Sequence, residues 1–254
     1  MSAKVIALAQ QKGGVGKTTT TINLGAALAA LKHKVLLIDL DPQGALSAGL
    51  GIEPLELEQT LYNVLRSKSI NAADVILESV VGCHVLPANI DLSASEIELV
   101  SEPGRERILK EKIAPLLDDY DYILIDCPPS LSLLTLNGLT AAQHVIIPIQ
   151  TEYFALRGMD LLLDTIEKVQ ARLNSNITVM GILPTLYQAR TLHAKEVIAE
   201  LTNTYGNLLF STPIPMTIKL PDSVMAGTSI LETTPKSGAA KAYKKLAKEV
   251  EQRG

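Results

Sequence analysis

Four short runs in this chain, Val5–Ala9, Val35–Ile38, Tyr122–Ile125 and His144–Ile149, are almost continuously apolar and often β-branched. A strand with one wet face alternates apolar and polar residues, so strands without that alternation need cover on both faces. His84–Pro87, Thr178–Leu183 and Leu208–Phe210 add three further short runs that predict strands. Between them, Lys17–Leu31, Leu131–Ala141, Gly158–Leu173 and Leu192–Asn203 carry helical periodicity at ordinary helix length. This alternation predicts an α/β fold: a doubly wound, mostly parallel sheet flanked by helices, with ligands bound beyond the carboxyl ends of the strands. No repeat, linker or low-complexity tract interrupts the pattern, so residues 1–254 are expected to form one domain.

Directly after the first strand stands Gln10-Gln11-Lys12-Gly13-Gly14-Val15-Gly16-Lys17-Thr18-Thr19, and a helix follows. A phosphate-binding loop of the usual form has a glycine five residues before Gly16, where this chain has Gln11. What remains is a glycine-rich turn whose backbone N–H groups can curl around phosphate oxygens at the positive end of the next helix. Lys17 is then the residue to reach β- and γ-phosphates, and the Thr18 hydroxyl a ligand for Mg²⁺. Lys12 alone would read as a solvated loop lysine.

Two more strands end in acids where a nucleotide site needs them. Ile38-Asp39-Leu40-Asp41-Pro42-Gln43-Gly44 follows the second strand; alternation puts Asp39 and Asp41 on one side, and Pro42 and Gly44 turn the chain into a loop. Asp126 follows the run Tyr122–Ile125 and should hold Mg²⁺ through water. An unpaired carboxylate after four apolar residues would be costly to bury, and a cation is the better account. Pro128 and Pro129 then withhold ladder donors and end the strand.

Lys12-Gly13-Gly14-Val15-Gly16-Lys17-Thr18-Thr19 resembles the deviant Walker A box of the ParA/MinD ATPases, and the chain as a whole is similar to the short, Soj-like ParA branch that partitions chromosomes and plasmids. The likeness extends through Leu40-Asp41-Pro42-Gln43-Gly44, Ile125-Asp126-Cys127-Pro128-Pro129-Ser130, Pro148-Ile149-Gln150 and Leu246-Ala247-Lys248-Glu249-Val250. It implies a P-loop NTPase fold of the deviant Walker A type, ATP and Mg²⁺ as cofactors, and an ATP-dependent homodimer in which Lys12 crosses to the partner's phosphates. A second cation on the triphosphate would offset charge there and couple nucleotide to dimerisation. By the same resemblance Lys12, Lys17 and Asp41 are catalytic, Asp41 by orienting the attacking water. Thr18, Asp41 and Asp126 surround the metal, Asp39 belongs to the Mg²⁺ and phosphate-sensing shell, and Thr185 and Pro215 lie near adenine.

The protein as a whole carries a net charge of −4, so any attraction to nucleic acid must come from a local patch. One such patch is the C-terminal segment, where Lys241, Lys244, Lys245 and Lys248 follow i, i+3, i+4, i+7 spacing, and Tyr243, Leu246, Ala247 and Val250 repeat it half a turn away. The residues alone fit a solvated helix face equally well, since lysines near a helix C-terminus are favoured by its dipole. The resemblance implies non-specific DNA binding through these lysines, Arg190 and Lys219, with a ParB-like partner protein stimulating hydrolysis; the alternative is a positioning ATPase for another cytosolic cargo. Where relatives read Ile-Pro-Arg, this chain has Ile214-Pro215-Met216, one positive charge fewer.

With 47% hydrophobic and 20% charged residues, the composition is that of a folded protein. Met1–Ala9 leads straight into the glycine loop and leaves no room for a cleavable signal, which predicts a cytoplasmic, nucleoid-associated protein. No apolar stretch is long enough to span a bilayer, and the apolar face of the last helix is a poor anchor, so stable membrane insertion of the MinD kind is not expected. Cys83 and Cys127 lie far apart in apolar segments and predict buried reduced thiols, which argues against a bridged iron–sulfur cluster. The four histidines show no metal-ligand spacing.

Overall fold

The computed structural model describes residues 2–151 and 157–253. Its strands are β1 (Lys4–Leu8), β2 (Val35–Asp39), β3 (Leu77–Glu78), β4 (His84–Leu86), β5 (Tyr122–Asp126), β6 (His144–Gln150) and β7 (Thr178–Thr185). Around them lie α1 (Lys17–Ala30), α2 (Ala45–Gly49), α3 (Leu61–Arg66), α4 (Leu92–Glu98), α5 (Ile108–Ile113) and α6 (Leu133–Ala141). The second half adds α7 (Arg157–Arg172), α8 (Leu192–Tyr205), α9 (Lys219–Met225), α10 (Ile230–Thr233) and α11 (Gly238–Arg253).

The strands form one sheet in the order β3-β4-β2-β5-β1-β6-β7, parallel except for the antiparallel edge pair β3–β4. The expected double cover is visible strand by strand. In β1, Val5 and Ala7 face a core layer shared with α5, α6 and α7, whereas Ile6 and Leu8 face a second layer built from α1 and α11. Ile123 and Ile125 of β5 join the first layer and Leu124 the second, so the apolar side chains of β1 and β5 leave water, at about 25 cal/mol per Å² of apolar surface. Cys83 and Cys127 are free and buried in these layers, and burial pushes the Cys83 thiol up to about 12, out of reactive range.

Two differences from the sequence expectation have local causes. Leu208–Phe210 is not a strand: a 3-10 turn occupies Gly206–Leu208, and only an isolated bridge joins Leu209 to Ile182. Phe210 is buried beside β7 and Leu209 half-buried, without extending the sheet, while Leu208 is exposed. The edge strand β3 was not foreseen because it spans two residues; it exists through a hairpin in which Ser79 N–H donates to Cys83 C=O across Gly82.

The terminal helix divides its faces as its spacing requires. Tyr243, Leu246, Ala247 and Val250 are buried against α1, while Lys241, Lys244, Lys245 and Lys248 are exposed. Its last residues staple it to the sheet. Arg253 donates from Nη2 to Leu209 C=O at 2.7 Å and from Nη1 to Met180 C=O at 3.1 Å, pairs with Glu249 at 2.9 Å, and stacks over Phe210 at 4.3 Å. Glu249 also accepts from Ser211 N–H and its hydroxyl. Arg253 is therefore spent on structure, unlike the lysines beside it. Because its donors are charged and largely shielded, Arg253→Ala should cost about 2 kcal/mol in denaturant unfolding. A midpoint equal to the parent's would show the staple to be idle.

Candidate functional site

The strands β1, β2 and β5 end level with one another: Leu8 is in register with Asp126, and Asp126 with Asp39. What each strand does next builds the site. After β1 the chain turns through Gly14 and Gly16, both in the left-handed region at φ 73° and 87°, where a side chain is strained. Gly16 is the N-cap of α1 and offers no side-chain acceptor, and the first turn contains no acid. The leading N–H groups of a fourteen-residue helix thus remain available to an anion at its positive end.

Lys17 starts that helix and is buried, at 7% exposure. Burial lowers its pKa, opposed chiefly by the negative charge of Asp126 and, further off, of Asp41. Asp126 is fully buried beneath it; Thr18 Oγ1 donates to its Oδ2 at 2.6 Å, and Thr21 Oγ1 approaches Oδ1 at 3.4 Å. Burial and the neighbouring Asp39 push the Asp126 carboxyl well above the usual carboxylate range, against the pull of Thr18 and Lys17. Asp39, also fully buried, is pushed up to about 7 by burial although Ser47 and the backbone of Asp41 donate to it. Two adjacent carboxylates that resist ionisation are a strong demand for a cation, and a divalent ion next to the Thr18 hydroxyl and Asp126 meets it. The donor set therefore fits Mg²⁺.

These groups open into a cavity of about 620 Å³. The glycine loop, Lys17, Thr18 and Asp41 line it together with Thr185, Leu186, Ile214 and Met216. A lining that combines Lys17, Thr18 and Asp41 with apolar side chains suits a phosphate chain that carries a flat base. Val15 is buried behind the loop, where its carbonyl accepts from Thr185 Oγ1 at 2.7 Å, so the end of β7 braces the loop as well as lining the cavity. Pro215 is not among the lining residues; it pairs with Tyr187, and its neighbours Ile214 and Met216 face the cavity instead. Leu186, which the sequence reading passed over, takes a left-handed φ of 52°, a conformation costing about 1 kcal/mol that turns the chain at the cavity wall.

Lys12 lies outside this set. It is exposed, and its Nζ donates to Gln150 Oε1 at 2.5 Å, while Gln150 Nε2 donates to Gly14 C=O at 3.1 Å. The side chain of Gln150, at the end of β6, thus holds both the extra lysine and the loop. Gln150 closes the Pro148-Ile149-Gln150 segment that carries part of the family likeness, but its contacts with Lys12 and Gly14 show only in the structure.

Of the residues expected to meet DNA, Lys219 begins α9 and lines a shallow groove with Lys236 and Ser237, at the approach to α11. Lys241, Lys244, Lys245 and Lys248 share the outer face of that helix. Arg190 is exposed in the loop between β7 and α8. Among the described residues no cluster of His, Cys, Asp and Glu has the form of a separate metal site, and no helix is long and apolar enough to cross a membrane.

The AAA domain family model matches residues 3–179. The sporulation initiation inhibitor protein Soj of Bacillus subtilis is 45% identical over 255 residues, covering 99% of each chain. The chromosome-partitioning ATPase Soj of Treponema pallidum is 46% identical over 97% of this chain and 96% of its own. A solved structure from Mycobacterium smegmatis, named cobyrinic acid a,c-diamide synthase and containing ADP and magnesium, superposes with a TM-score of 0.87 at 41% identity, over 97% of this chain and 93% of that one. Fold and site together make this a P-loop ATPase of the deviant Walker A class. With relatives this similar along almost their whole length, the chain belongs to the ParA/Soj family of partitioning ATPases.

The raised carboxyl of Asp39 has a sign that can be tested. Its folded pKa lies above the unfolded value, so the folded state binds the extra proton, and its contribution to stability increases as pH falls through about 7 toward about 4. Without nucleotide or metal, the parent should gain more melting temperature between about pH 8 and about pH 6 than Asp39→Asn does. Parallel pH profiles would contradict the burial argument.

Proposed function

We propose that this protein is an ATP-driven dimer switch that holds DNA without regard to sequence and, with a ParB-like partner protein, partitions a chromosome or plasmid. The observation that carries the reading is the division between two lysines: Lys17 lines its own chain's cavity, and Lys12 is exposed outside it. One lysine suffices for the phosphates of one chain. A second on the rim is placed to serve a facing subunit, after exchanging its contact with Gln150 for a phosphate.

Within the cavity, the Lys17 ammonium, stripped of water, has most to gain from the β- and γ-phosphates. Thr18 and Asp126, with Asp41 nearby, would hold Mg²⁺, which would neutralise charge on the phosphate oxygens. Asp41 is half-buried and faces the cavity, and its carboxylate orients water for attack on the γ-phosphate. Asp39 acts behind it. Thr19, Thr185 and the Pro215 segment complete the nucleotide contacts, and ADP and phosphate are the products.

The exposed lysine face of α11, with Lys219 and Arg190, supplies the DNA grip, and the protein then resides on the nucleoid. Contacts of this kind are made to phosphates, so they add affinity and salt dependence but little sequence preference. A membrane-bound regulator of the MinD kind is disfavoured because the apolar face of α11 is already buried in the core.

Lys17→Ala should abolish ATP binding in calorimetry, and unchanged affinity would remove the central claim. Asp41→Ala should retain ATP and accumulate dimer in light scattering, whereas hydrolysis at the parent rate would contradict its role with water. Replacing Arg190, or reversing the charge of Lys244 and Lys245 together, should weaken DNA retention and flatten its salt dependence. Equal binding at every salt concentration would place the DNA surface elsewhere.

A further inference from the structure

The loop that carries Asp41 is held from both ends by residues outside the cavity lining. Asp39 Oδ2 accepts from the N–H of Ser47 at 2.9 Å and from its hydroxyl at 2.7 Å, and Asp39 Oδ1 accepts from Asp41 N–H at 3.3 Å. Ser47 is itself fully buried, and its Oγ accepts from Ala88 N–H at 3.1 Å, just beyond β4. The reason for this long-range arrangement lies at Gly44. It is the N-cap of α2, at φ 62°, and a Cβ there would stand 2.8 Å from Ala88 C=O, so the position that ordinarily carries a capping Ser, Thr or Asp must be glycine. The helix N–H left without a cap is taken by a carboxylate eight residues upstream.

We propose that Ser47 is a positioning residue for ATP hydrolysis. With Asp39 it closes residues 39–47 into a ring, straps that ring to the end of β4, and so fixes the direction in which Asp41 enters the cavity. Asp41 is further restrained because its Oδ1 accepts from Gln43 N–H at 3.0 Å. This inference rests on the reading of Asp41 as the residue that orients water. Neither Ser47 nor Asp39 lines the cavity, so the ring acts on Asp41 and not on nucleotide affinity.

The test compares full-length Ser47→Ala and Ser47→Thr with the parent, measuring steady-state hydrolysis of ATP with Mg²⁺ and, separately, ATP affinity. Ser47→Ala should lower kcat by about tenfold, the factor expected for one lost hydrogen bond to a charged group, with ATP affinity unchanged. Ser47→Thr keeps the hydroxyl and should restore most of the rate. A parent-level kcat in Ser47→Ala, or equal losses in rate and affinity, would overturn the assignment. If Ser47→Ala does not fold, hydrogen exchange on the parent decides: the amides of Ser47 and Ala88 should be protected like those of β5. Exchange at the rate of an unprotected amide would overturn the ring. The double variant Asp41→Ala, Ser47→Ala should be no slower than Asp41→Ala, and a further drop would mean that Ser47 does not work through Asp41. Should Asp41→Ala alone keep the parent rate, the reading of Asp41 fails, and the exchange measurement still judges the ring separately.

Discussion

A lysine and two carboxylates have been taken out of water at the level ends of neighbouring strands, and the rest of the molecule is arranged around making that tolerable. Asp39 and Asp126 are wholly enclosed, and Lys17 nearly so. Charges in such surroundings are costly unless each meets a partner, and the partners differ. Thr18 answers Asp126, Ser47 answers Asp39, and Lys17 is left facing a cavity with the open end of a helix beside it. The imbalance that remains, acids reluctant to ionise and an ammonium reluctant to stay charged, is what a metal–triphosphate complex corrects from outside.

Much of this is legible in the sequence. Unbroken apolar runs required a doubly covered sheet, and the two core layers of β1 and β5 show it. The glycine loop and the strand-terminal acids could be placed because their chemistry is tied to strand ends, whose positions apolar runs reveal. What escaped was set by neighbours distant in sequence. Ser47 is an unremarkable serine in a five-residue helix, too short for periodicity to show, and its role depends on Asp39 and Ala88 meeting it in space. Gln150 stands in a motif the sequence shows, but its grip on Lys12 and Gly14 is visible only once β6 ends beside the loop. Arg253 reads as one more terminal cation until Phe210 and the carbonyls of Met180 and Leu209 are seen around it.

Leu208–Phe210 went wrong for a related reason. Three apolar residues satisfy the pattern of a buried strand, but burial can be had without ladder hydrogen bonds. Here Phe210 is enclosed by β7 and Arg253 while Leu208, at the end of a tight turn, stays exposed. Apolar patterning reports where water is excluded, and only by inference what the backbone does there.

Tyr243 sits at the middle of the terminal helix, fully buried, with its hydroxyl 3.4 Å from Thr20 Oγ1 and its ring against the same cavity that Lys17 lines. The residues immediately after it are Lys244 and Lys245, on the outer face. One side chain therefore touches the wall of the nucleotide chamber while its chain neighbours meet solvent on the opposite side. No flexible tether separates the two faces, and a displacement at the start of α1 has the width of a single helix to cross before it alters the geometry of the outward charges.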